Sequence, residues 1–401
     1  MDRPVVVCNV FSDDNKGGCL ITQQTIGWLK RHFPGRTVYL VPVVQGGEYA
    51  EVQHRFTLAR HPDVRVIHAP LKPGASPVAT FRALLQSLLL LWRRPGRDAF
   101  ERTLGSAEVV ASKGGYVFVE RETVAGLLSL WFTAFPLVYA AQKGARTVVL
   151  STTVGPFRSR GSRFLSAWIL KRIDLVVTRD PLSTEQARRL GCSRILECPD
   201  ITLTYVPNGR APAEGLPMPF ERFACLVVSA ERRRPDEDFL DRCAQLGDRM
   251  LGHGIVGRIV VVVQSVEDED ISRRFVARSQ DPRITLLEGD PAPEELIRLY
   301  GAAELVITKR LHAGLFALLA GTPVLMFATD GAKSDGILQQ LDLTDRLMPY
   351  PGFDVEEAWG RIREILADRG REVERIGRSV EAGRRAAEDA LRQVAAALVT
   401  E

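Results

Sequence analysis

A chain of 401 residues is too long for one ordinary hydrophobic core and predicts two domains of roughly 150–200 residues each. Apolar residues make up 45% and charged residues 25%, the proportions of a soluble globular protein. A net charge of +4, from 53 basic and 49 acidic residues, excludes a nucleic-acid-binding composition and still permits a local basic site for a small anion.

In chain order, short Val- and Ile-rich runs recur at 4–11, 37–44, 64–70, 107–115, 146–156, 174–180 and 193–200. Segments of helical composition and period separate most of them. Near-continuous apolar strands alternating with helices predict a parallel sheet covered on both faces. This first domain fills residues 1–205. Tyr205–Arg222 then holds four prolines and two glycines with little apolar periodicity, so residues 206–222 read as a linker. The alternation restarts at 223–230, 258–266, 283–290, 304–310 and 323–330, giving a second domain over 223–345. Residues 346–401 read as C-terminal helices, two of them from Asp354 onward. The expected fold is two Rossmann-like, doubly wound α/β domains facing a cleft, with ligands at the carboxyl ends of the strands.

The six cysteines, Cys8, Cys19, Cys192, Cys198, Cys225 and Cys243, form no CxxC and no zinc-spaced cluster. Several lie in apolar runs, where a thiol acts as a small hydrophobe. With no signal-peptide pattern at the start, the expectation is a cytoplasmic protein without a structural metal. Leu84–Trp92 is too short to span a bilayer, and Val124–Gln142, interrupted by Pro136, reads as a core helix. Trp92–Arg97 and Phe157–Phe164 set cations beside apolar residues. They read as a solvated basic face or as a peripheral contact with anionic headgroups at the inner face of a membrane.

Candidate site residues lie at strand ends. After the first run, Asp13, Asp14 and Asn15 precede Gly17-Gly18 and a helix whose first amides can meet an anion. Lys113-Gly114-Gly115 adds a cation and a glycine pair that permits close backbone approach. Arg179 leaves a strand beside Asp180, with Pro181 and Ser183 in the next helical turn. Its fork pairs with a neighbour or takes a ligand carboxylate or phosphate. Asp200 ends the following strand as a base, a sugar ligand or a cap. In the second domain Lys309, Arg310 and His312 follow a buried strand, then Gly321-Thr322-Pro323 and Lys333. If the strand runs on to His312, Arg310 and His312 face the same way; if a helix begins earlier, they diverge.

The stretch RLHAGLFALLAGTPVLMFATDGAK, with TVGPF, TRDPLSTEQARRLG, PDITL, the Gly114-Gly115 pair and NKGG, resembles the polysaccharide pyruvyl transferase family from about residue 8 to 335. Two blocks depart from the family pattern. NKGGC lacks the Asp of an Asn-x-Gly-Asp motif, and SKGGY replaces a GGG-type stretch. Both lie in the half where the resemblance places the acceptor, so they bear on acceptor identity more than on donor chemistry.

The resemblance implies a glycosyltransferase-B-like pair of domains, with the acceptor on the first and the donor on the second. It implies transfer of pyruvate from phosphoenolpyruvate to the hydroxyls of a sugar or lipid-linked saccharide, forming a ketal with no cofactor and no metal. On this reading Arg179, Arg310, Lys333 and His312 hold the donor, and His312 is the general acid. Asp13, Asp14 or Asp200 deprotonates the attacking hydroxyl. Asn15, Lys113, Gly114, Gly115 and Ser183 complete the substrate contacts. Two other readings share the fold: a nucleotide-sugar glycosyltransferase, for which Asp330 and Asp335 offer ribose contacts, and a non-catalytic anion- or sugar-binding homologue.

Overall fold

Val5–Val10 (β1) is buried at all six positions, so it lies inside a sheet that is covered on both faces. The structure, a computed structural model, describes residues 3–43, 52–71, 74, 76–96, 98–207, 222–229, 237–279, 281–329, 333–350 and 352–399. The chain divides into two compact units. One comprises Met1–Asp13, Gly18–Thr202 and Ala386–Glu401; the other comprises Asp14–Gly17 and Leu203–Arg385.

After β1 come Lys16–His32 (α1), Val38–Pro42 (β2), Arg55–Arg60 (α2), Arg65–Val66 (β3), Pro77–Trp92 (α3), Ala99–Ser106 (α4) and Val109–Ser112 (β4). Gly115–Phe118 (β5), Val124–Gln142 (α5), Arg146–Val154 (β6), Arg160–Leu170 (α6), Leu175–Thr178 (β7), Pro181–Arg189 (α7) and Ile195–Glu197 (β8) follow. The strands are parallel in the order β3-β2-β1-β4-β6-β7-β8, and β5 pairs with β6. The order reverses between β1 and β4, so the unit's crevice for ligands lies beyond their carboxyl ends.

Local chemistry fixes where helices start. Ser76, Thr123, Ser159 and Asp180 each accept a backbone N–H in the first turn of α3, α5, α6 and α7. Although α5 is long and apolar enough to cross a membrane, its buried residues, Trp131, Phe135 and Tyr139 among them, lie in the core on one face of the sheet. On the opposite face, Trp28 of α1 donates to the Leu391 carbonyl at 3.1 Å.

The second unit holds Phe223–Val227 (β9), Glu237–Gly252 (α8), Arg258–Val261 (β10), Glu269–Ser279 (α9), Ile284–Leu286 (β11), Pro293–Ala302 (α10) and Leu305–Thr308 (β12). Leu311–Leu319 (α11), Val324–Thr329 (β13), Lys333–Gln340 (α12), Leu347–Tyr350 (β14), Val355–Ala367 (α13) and Arg369–Val399 (α14) complete it, the end of α14 counting with the first unit. The sheet order is β11-β10-β9-β12-β13-β14, all parallel, with its reversal between β9 and β12. The chain therefore forms two Rossmann-like α/β domains.

Every apolar run named from the sequence becomes a strand. Two strands were not expected. β5 leaves β4 through Gly114 and reads as a loop. β14 lies in the segment 346–401, whose sequence reads as helical; its Pro349 is tolerated because β14 is an edge strand. Residues 208–221 of the Pro-rich stretch lie outside the described residues.

Candidate functional site

At the first unit's switch point the chain is unusually constrained. Asn9 in β1 has φ 61° and Ser151 in β6 has φ 44°, left-handed values that side-chain-bearing residues seldom adopt. The Asn9 amide donates to Ser112 Oγ at 2.8 Å, and Ser151 Oγ accepts the Ile201 N–H at 3.0 Å. Gly114 has φ 75°, and a Cβ there would lie 1.5 Å from the Leu150 carbonyl oxygen. Its close approach is to β6, so the glycine is needed by the fold whatever binds. Gly115, at φ 84°, begins β5.

Lys113 is buried, donates to the Gly18 carbonyl at 3.1 Å and lies 5.4 Å from the centre of the Phe11 ring. Burial lowers its pKa to about 8 against the opposing influence of Cys19 and Asp13. Asp13 is fully buried, and both its oxygens are taken by Thr57, from N–H and from Oγ, each at 2.8 Å. Burial alone would raise this carboxyl; hydrogen bonds from His54 and Thr57 outweigh it and hold it below the usual range. Asp13 thus anchors α2, and its complete burial keeps it from solvent.

Arg179 and Asp200 form one structural unit. Arg179 Nη1 meets Asp200 Oδ2 at 2.8 Å, and Arg179 Nε donates to Thr153 Oγ1 at 2.8 Å. The other Asp200 oxygen accepts Thr202 N–H and Oγ at 3.0 and 2.7 Å. The two side chains are 1% and 0% exposed. Asp200 is therefore the counter-ion of Arg179 and the cap of the turn Ile201–Thr204, and the base assignment is withdrawn. The donor-binding assignment of Arg179 goes with it, because its charge is already answered inside the core. Ser183 is likewise occupied: its hydroxyl donates to Asp180 at 2.7 Å and accepts the Val154 N–H at 3.1 Å.

In the second unit β12 stops at Thr308, Arg310 is the N-cap of α11 and His312 is the helix's second residue. Arg310 and His312 are thus not a same-facing pair on an extended strand. Arg310 grips Asp268 through Nε and Nη2 at 2.8 and 2.6 Å; Asp268 is fully buried, while the arginine is 26% exposed. Lys309 turns instead to aromatic faces, 3.4 Å from the Tyr350 ring centre and 5.4 Å from that of Phe239.

The NKGG segment belongs to this unit through Asp14–Gly17. Asn15 bridges Ser265, Lys16 N–H donates to the Gln264 carbonyl at 3.2 Å, and the buried Lys16 ammonium pairs with Asp290. Gly17 is helical, and a Cβ there would lie 2.4 Å from His312 Cβ and Cγ. The glycine is present because the imidazole occupies its side-chain space. Asp14 is half-buried and Asn15 exposed. Lys333 opens α12, but its side chain, like Asp330, lies outside the described residues; Asp335 is in α12.

The sequence reading missed Asp268, Asp290 and His54. Asp268 sits in the acidic run VEDED, which looks like a solvated face, and Asp290 closes the run 283–290 without a distinctive neighbour. Lys16 was in view within NKGG, but nothing in the spacing tied it to Asp290. Among the described residues no group of His, Cys, Asp or Glu could hold a metal ion.

This architecture, with polar constellations at both sheet reversals, defines a protein with the fold of two-domain GT-B transferases. A glycosyltransferase from Rickettsia africae superposes with TM-score 0.60 at 11% identity over 100% of both chains. Sucrose-phosphate synthase from Thermosynechococcus elongatus gives 0.58 at 16%, covering 98% of this chain and 97% of that one. UDP-GlcNAc 2-epimerase from Neisseria meningitidis gives 0.62 at 9%, covering 99% and 100%. No curated protein matches the sequence. The chain belongs to the polysaccharide pyruvyl transferase family, whose sequence model matches residues 15–331.

Proposed function

We propose that the protein transfers the pyruvyl group of phosphoenolpyruvate to two hydroxyls of a saccharide acceptor, forming a ketal and releasing phosphate. The observation that carries this reading is the family match, which includes the Arg310–His312 block at the second unit's sheet reversal. His312 protonates C3 of the enol, leaving C2 electrophilic as an oxocarbenium-like centre. An acceptor hydroxyl attacks C2 and loses its proton to a base. A second hydroxyl then displaces phosphate, which leaves with that hydroxyl's proton, and closes the ring.

Asp14 is our choice of base, because it is partly exposed where Asp13 and Asp200 are fully buried, and it heads the segment whose Gly17 touches His312. Asp268 fixes the plane of Arg310 and takes Nε and Nη2, so the Nη1 edge is assigned to the donor's carboxylate or phosphate. Lys333 is retained as a donor contact. The assay is incubation with phosphoenolpyruvate and candidate saccharides, reading phosphate release and the pyruvyl mass gain. His312→Ala should lower turnover by ~10²–10⁴-fold with donor binding retained. Thermal stabilisation by UDP-sugars but not by phosphoenolpyruvate would replace this reading with a glycosyltransferase.

A further inference from the structure

The helix α3 is apolar on two opposite faces. Ala83, Ser87, Leu90 and Leu91 are buried, and Val78, Phe81, Leu85, Leu88, Leu89 and Trp92 are exposed. At 3.6 residues per turn the exposed six fall within an arc of about 100°, diametrically opposite the buried four. Leu89 is 68% and Trp92 84% exposed. A solvated helix carries polar residues on that face.

Trp131 of α5 links this helix to α6: its indole donates to Ser87 of α3 at 2.8 Å, and its ring lies 5.7 Å from that of Trp168. On α6, Phe164 is 72% exposed and shares a helix face with Arg160 and Arg163. Residues 76–96 and 157–172 together contain eight Arg and Lys and no Asp or Glu. All eight are exposed.

We propose that α3 and the start of α6 form a docking surface for an anionic lipid bilayer. The apolar stripe, with a Trp at its end, enters the headgroup–acyl boundary, and the arginines meet the phosphates. Charge complementarity selects this occupant. A second copy of the chain would bring the same arginines against one another across a two-fold interface, where like charges oppose pairing. The proposal does not depend on the reaction assigned above.

Flotation with vesicles of phosphatidylcholine alone, and of phosphatidylcholine mixed with phosphatidylglycerol, tests it. The wild-type chain should float with the anionic vesicles, less so at high salt, and only weakly with the neutral ones. Leu89→Glu/Trp92→Glu should abolish flotation. Arg94→Gln/Arg160→Gln/Arg163→Gln should weaken it by about a hundredfold, since each cation near an anionic surface contributes about fivefold. Both variants alter exposed side chains, and their melting curves verify folding. If the glutamate variant is unfolded, the glutamine variant decides alone. Absence of flotation, equal flotation with both vesicles, or flotation of the variants at wild-type strength overturns the proposal. So does light scattering that shows a dimer dissolved by Leu89→Glu/Trp92→Glu.

Discussion

Arg179→Met removes one member of a charge pair that water does not reach. The side chains of Arg179 and Asp200 are 1% and 0% exposed and meet at 2.8 Å. Removing one partner of such a pair costs about 3–5 kcal/mol, because the other charge is left buried and unanswered. Asp200 would keep its two bonds from Thr202 but lose its cation. In a domain of about 200 residues, 1 kcal/mol moves the melting temperature by about 2–4 °C, so the fall should be on the order of 10 °C. Asp200→Asn should fall comparably, since it strands the guanidinium instead.

The double variant Arg179→Met/Asp200→Asn removes both charges and should recover most of the loss, leaving a coupling energy of about 2–3 kcal/mol. Calorimetry and urea unfolding on the four proteins supply the cycle, and turnover is measured on each. The double variant should also recover activity. Single variants melting within about 2 °C of wild type would refute the argument. An Asp200→Asn variant with a wild-type melt and no turnover would restore Asp200 as the base.

Gly17→Ala places a methyl group 2.4 Å from His312 Cβ, so the imidazole or α1 must shift. Turnover should drop at least tenfold while the melting temperature changes far less, and a wild-type turnover number would remove the positioning role of Gly17. Lys113→Met addresses pH. With the lysine's folded pKa lowered to about 8, the folded state loses its proton before the unfolded chain does, so wild-type stability relative to the variant should rise between about pH 8 and 10.5. The wild type should gain about 3 kcal/mol on the variant across that window, and parallel stability curves would refute the buried charge.

The strands were legible because a parallel sheet covered on both faces writes itself as runs of Val, Ile and Leu. β5 and β14 were hidden because one follows a glycine turn at φ 75° and the other carries Pro349 at an edge. For the site, residue types were legible and partnerships were not. Arg179 and Asp200 were each visible at a strand end, 21 positions apart, yet nothing in the spacing says that they pair. Arg310 and Asp268 are 42 apart, on the exits of two different strands. The opposed apolar faces of α3 could be counted in the sequence, but only burial tells which face the core uses.

Cations at buried strand ends suggest an anion waiting to be bound, yet the chain supplies a partner of its own to four of those described: Asp200 for Arg179, Asp268 for Arg310, Asp290 for Lys16, aromatic rings for Lys309. A guanidinium can still serve both partner and ligand if only one of its edges is used. Arg310 is the case to test. Arg310→Ala should destabilise the second unit by about 3–5 kcal/mol, because Asp268 is left buried and charged. Loss of donor binding in that variant alone would therefore be ambiguous. Arg310→Ala/Asp268→Asn separates the two effects: the fold should return towards wild type while donor affinity stays ~10–150-fold weaker, the equivalent of one lost charge-assisted bond of ~1.5–3 kcal/mol. Arg310→Lys should hold neither Asp268 nor the donor fully, since an ammonium has no second edge. Calorimetric titration with phosphoenolpyruvate reads the affinity, and thermal unfolding reads the fold. Should the double variant bind the donor as tightly as wild type, Arg310 serves only to hold Asp268, and the donor's anionic groups are held by other residues.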